Sequence, residues 1–77
     1  MVEHSVKRKD GTIERHSIKL SEIREVFENE DHTATLRISE LDKHGAFFER
    51  TTLEGYDQIM LRIENEERKY AEKIFEL

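Results

Sequence analysis

The stretch "KLSEIREVFEN", residues 19–29, decides the fold, because it can be read as a helix or as a strand while its neighbours are plainer. Ser21 is a candidate N-cap, with an oxygen that can accept an orphan amide of a first helical turn. Ile23, Val26 and Phe27 recur at i, i+3 and i+4, one face of a helix, with Glu22, Glu25 and Glu28 on the other. That spacing predicts a short helix over residues 21–29. The rival reading pairs the stretch as a strand through the turn "ENEDH", residues 28–32, since a segment this short is not separated by period alone.

On the N-terminal side, "VEHSVKRKDGTIERHS", residues 2–17, sets Asp10-Gly11 between two runs with β-forming residues. Asp-Gly is a strong hairpin signal, because a two-residue type I′ loop needs positive φ at both positions. In that register Lys9 faces Thr12, Val6 faces Arg15, and Val2, Val6 and Ile13 share one face. Ile18 then has the wrong parity, so the strand is expected to end near Ser17, and His4 and His16 point to opposite sides.

On the C-terminal side, "TATLRISEL" alternates Ala34, Leu36 and Ile38 with polar residues, a half-buried strand. "DKHG" turns it and "AFFERTT" returns as the partner, so residues 33–51 make a second hairpin. Phe47 and Phe48 are adjacent and must point to opposite faces, leaving one of them outside, near Leu41. "TTLE", residues 51–54, has capping-box spacing and predicts a helix over 52–76, with Tyr56, Ile59, Met60, Ile63, Tyr70, Ile74 and Leu77 along one stripe that Glu67 interrupts.

The expected order is ββαββα in a single α+β domain, residues 1–77: a four-stranded antiparallel sheet from two hairpins, a short helix between them and a long C-terminal helix. Such a helix is roughly 37 Å long, against roughly 20 Å for six-residue strands. It overhangs its own sheet, which marks Ile63, Tyr70, Ile74 and Phe75 as a helix or homodimer interface.

Composition narrows the function classes. The chain has no cysteine, which removes thiolate metal sites and disulfides and makes the cytoplasm the expected compartment. No apolar run exceeds three residues, so neither a signal core nor a membrane span is expected. The net charge of −5 is uneven: residues 1–20 carry five bases and three acids, residues 21–77 eight bases and fifteen acids.

Four histidines, with Glu40, Asp42 and His44 at strand spacing, do not make a convincing ligand set, and no metal or cofactor is expected. There is no glycine-rich phosphate loop and little room for a cleft, so the chain is read as no enzyme. What remains is a small acidic interaction protein, an inhibitor or regulator that binds a basic surface of another protein. Its expected contacts are Glu22, Glu25, Glu28, Glu30 and Asp31, which can imitate a phosphate backbone, with Phe47 or Phe48 as apolar anchor. Small acidic inhibitors of nucleic-acid machinery, including viral and phage ones, have this general character. The alternative is a nucleic-acid-binding regulator that uses Lys7, Arg8 and Lys9 at the first hairpin tip.

Overall fold

The computed structural model describes residues 1–75, with side-chain surroundings as far as Glu72. The chain forms β1 (Val2–Lys7), β2 (Ile13–Ile18), a single 3-10 turn (Leu20–Glu22), β3 (Ile23–Glu28), β4 (Thr33–Leu41), β5 (Phe47–Gly55) and α1 (Tyr56–Phe75). β1 and β2 make a two-stranded sheet, and β3, β4 and β5 a three-stranded one, all antiparallel. The fold is α+β as expected, but with two sheets and one α-helix in place of a single four-stranded sheet and two helices.

Residues 23–28 are a strand, and the helical spacing that pointed elsewhere has a physical source. Ile23 pairs with Ile38 and Val26 with Leu36, while the register slips between Ile23 and Glu25. The extra residue of this bulge lets two positions three apart face the same core, which a regular strand forbids. Phe27, across from Thr35, turns to the opposite, open face. Ser21 caps nothing; it lies inside the 3-10 turn.

All three hairpin loops have the same build. The pairs Arg8/Thr12, Asn29/Thr33 and Asp42/Ala46 are each closed by an amide-to-carbonyl bond of 2.8 Å around three residues. The third loop residue takes positive φ in each: Gly11 at 90°, His32 at 68° and Gly45 at 80°. A type I turn followed by a left-handed residue suits the strand twist. Asp10 and Asp31 reinforce it, each accepting the backbone amide and hydroxyl of the threonine two residues on, and these bonds lower both carboxyl pKa values. His32 is the costly member, because a β-carbon strains a left-handed residue. His32→Gly should therefore raise stability by about 1 kcal/mol in urea unfolding, despite loss of the exposed His32–Glu28 bond. An unchanged midpoint would contradict the strain.

The three-residue loop at 9–11 also moves the first hairpin by one residue from the expected two-residue register. Lys7 now faces Ile13, His4 faces His16 and Val2 faces Ile18. Ile18 therefore enters the core while Ile13 is left 64% exposed, the reverse of the sequence expectation. The buried core is Val2, Ile18, Ala34, Leu36, Ile38, Ile59 and Ile63, with Leu20, Ile23, Val26, Tyr56 and Met60 packed against it.

The two sheets meet where β1 lies beside β5, and side chains bridge them in place of a backbone ladder. Glu54 accepts the Ser5 amide at 2.8 Å and faces Arg62, whose guanidinium also donates to the Glu3 carbonyl at 2.8 Å. Burial pushes the Glu54 carboxyl up, but these hydrogen bonds and Arg62 prevail and hold it below its ordinary value. The expected capping box at 51–54 is absent for the same reason. Glu54 is engaged with β1, Thr51 faces Thr35, and the strand continues to Gly55, so the helix starts at Tyr56.

Candidate functional site

Helix α1 has 20 residues, about 30 Å at 1.5 Å per residue, and only its first half has a sheet beneath it. Ile59 and Ile63 are buried and Tyr56 and Met60 half-buried, whereas every residue from Glu67 to Glu72 is exposed. Tyr70 is 69% exposed. The overhang expected from the sequence is present. Ile63, expected at a dimer or helix interface, is buried in the core beneath α1. Ile74, Phe75 and Leu77 lie outside the residues whose side chains are described.

The helix flank, the 3-10 turn and β3 enclose a trough. Its first hollow, about 320 Å³, is lined by Ile23, Val26, Tyr56 and Met60, with Glu67 at its border. A second, about 490 Å³, lies farther along the helix between Leu20, Ser21, Glu66 and Tyr70. Leu20 lines both, so the two adjoin. Glu66 accepts from the Met1 amine at 2.8 Å and from Lys69, and the amine bond holds its carboxyl below the ordinary range. Among the described residues no cation pairs with Glu67. Arg24 also lines the first hollow, with its guanidinium 4.4 Å from the centre of the Phe47 ring.

The acidic residues singled out in the sequence do not share one face. Glu25 bonds to Arg37 on the open side of the sheet, Glu28 lies one strand position out of phase with it and bonds to His32, and Glu30 and Asp31 sit in the β3–β4 loop. Glu22 occupies the 3-10 turn. Phe47 is half-buried under Arg24 and pairs with Leu41, and Phe48 is the more exposed of the two, at 44%. On the open face Arg37 lies between Glu25 and Glu49 and 4.9 Å from the Phe27 ring centre. At the first hairpin tip Lys7 and Lys9 are exposed, but Arg8 pairs with Glu14.

Sequence reading missed His4 as a core residue. It is 1% exposed, donates from Nδ1 to the Val2 carbonyl at 3.2 Å and accepts at Nε2 from Arg50 at 3.3 Å. Its ring stacks on His16 with centroids 5.8 Å apart, so the two do not diverge as the two-residue loop implied. Burial, with Arg50 and His16 beside it, lowers its pKa against the pull of the Val2 carbonyl. Both ring nitrogens are satisfied in one neutral tautomer, a structural role. Asp42 likewise serves the turn, accepting the amides of His44 and Ala46. Among the described residues no three histidine or acidic side chains gather as a metal site, and no helix is long and apolar enough to cross a membrane. Comparisons with protein-family models, with curated proteins and with solved structures each find no match for the chain.

Proposed function

We propose that this protein is a non-catalytic interaction module that holds another protein in the trough between α1 and β3. The observation that carries the reading is the helix that runs on past its sheet. Its first half supplies core, and residues 67–72 stand in water as a wall, with Tyr70 beside an apolar hollow. Contiguous apolar surface with a polar rim is the usual mark of an interaction site. Tyrosine, large and rigid, is among the side chains enriched where binding energy concentrates. The acidic balance of residues 21–77 favours a partner with a basic surface.

A photo-crosslinking residue tests this reading. p-Benzoylphenylalanine at Tyr70 should give a discrete heavier adduct in the source cell. The same group at Ile13, of similar exposure but far along the chain and on the other sheet, should give none. Equal yields at the two positions would overturn the reading.

A further inference from the structure

We infer that the occupant of the trough is an amphipathic helix with basic flanks, anchored by two apolar side chains about seven residues apart. The inference rests on the reading of the trough as a binding surface. It follows from edge geometry, spacing and charge.

A strand could enter only by pairing with the outer edge of β3. That edge is bulged between Ile23 and Glu25 and carries Arg24, Glu25 and Glu28 within six residues. Bulges and charges on an edge strand oppose strand addition, because they break the run of amides and carbonyls that a new strand needs. A helix makes no such demand, since its backbone bonds are internal and only its side chains must fit.

The spacing of the hollows fits helical anchors. The first lies beside residues 56–67 of α1 and the second beside residues 66–70. Their midpoints are six to seven residues apart along α1, about 10 Å. Side chains at i and i+7 of a second helix lying along α1 are separated by the same distance and leave from the same face.

Charge selects the sign of the flanks and the kind of partner. Among the described residues Glu67 borders the trough without a paired cation, whereas Glu66 is shared with the Met1 amine and Lys69, Glu25 is bonded to Arg37, and Arg24 is held over Phe47. A second copy of this chain, docked through the same patch about a twofold axis, would bring another Glu67 to this border and no cation to pair with it. A segment bearing lysine or arginine beside its anchors meets complementary charge.

The test uses the full chain, isotope-labelled, and three synthetic peptides of about 16 residues followed by amide chemical shifts. The first is a lysine- and alanine-rich helix former with leucines at i and i+7. The second replaces its lysines with glutamate, and the third rearranges the first into strict apolar-polar alternation. The basic helical peptide alone should shift Leu20, Ile23, Met60 and Tyr70. Its affinity should fall about tenfold in Tyr70→Ala and about threefold in Glu67→Lys, both exposed positions. Trough shifts with the acidic or alternating peptide in its place would overturn the helix assignment while leaving the binding surface intact. No trough shift with any peptide, or concentration-dependent shifts of the protein alone, would overturn the helix assignment; Tyr70 crosslinking to a different protein would then still support the module.

Discussion

Replacing Ile59 by alanine should cost about 3 kcal/mol of stability, whereas Tyr70→Ala on the same helix should change it by less than about 0.5 kcal/mol. Ile59 is fully buried, the deepest contact that α1 makes with the sheets, and truncation leaves a cavity among Val2, Leu36 and the rest of the core. Tyr70 reaches solvent past the sheet, so its loss leaves no cavity. In a chain of 77 residues about 3 kcal/mol is a large share of the total, and Ile59→Ala should unfold at much lower urea concentration. Equal costs at the two positions would mean that the helix is packed along its whole length.

Stability should fall as the pH drops from 7 to 5, and His4→Gln should flatten that fall while lowering stability throughout. The folded protein holds His4 below its ordinary imidazole value, chiefly by burial. As the pH decreases through about 6.5 the unfolded chain therefore takes up this proton first. The stabilisation from neutral His4 is complete above that pH and is lost as the pH falls through the folded value, at about 1.4 kcal/mol per unit of depression. His32 acts in the opposite sense. Its hydrogen bond to Glu28 raises its pKa, so its contribution exists at low pH and is lost as the pH rises through the raised value. His32 is fully exposed, which leaves His4 to dominate. The lowered carboxylates, Asp10, Asp31, Glu54 and Glu66, lose their contributions only below their own ordinary range, outside this window. A urea midpoint equal at pH 5 and pH 7 in the native sequence would contradict the account of His4.

The parts of the fold legible in the sequence were those set by one strong local pattern. Alternation at Ala34, Leu36 and Ile38 located β4, and the apolar stripe from Tyr56 located α1 and its excess length. Residues 19–29 misled because a bulge converts strand spacing into helical spacing, and nothing local in the sequence shows which partner strand forces that bulge. One usable signal was present nearby. Asp10-Gly11-Thr12 and Asp31-His32-Thr33 share a pattern in which aspartate accepts the threonine amide and hydroxyl, and the likeness marks residues 29–33 as a hairpin loop like the first.

The register of hairpin one depended on whether its loop held two residues or three, and a slip of one exchanges every inward side chain for an outward one. That exchange hid Ile18 and the His4–His16 stack. Of the candidate site, Tyr70 and the helix overhang were legible. The trough was not, because its near wall exists only once residues 23–28 are a strand. The acidic residues were visible as charge but not as geometry, since a strand sends Glu25 and Glu28 to opposite faces.

Amide hydrogen exchange along α1, read residue by residue in a sample shown to be monomeric, tests most directly whether the second half of the helix is held out for a partner. The account predicts exchange as slow as global unfolding from about Ile59 to Ile63, rising steeply from Glu67 to rates near those of an isolated helix. Uniformly slow exchange through Tyr70 in the monomer would contradict it, because the protein's own chain would then already cover the face assigned to another molecule.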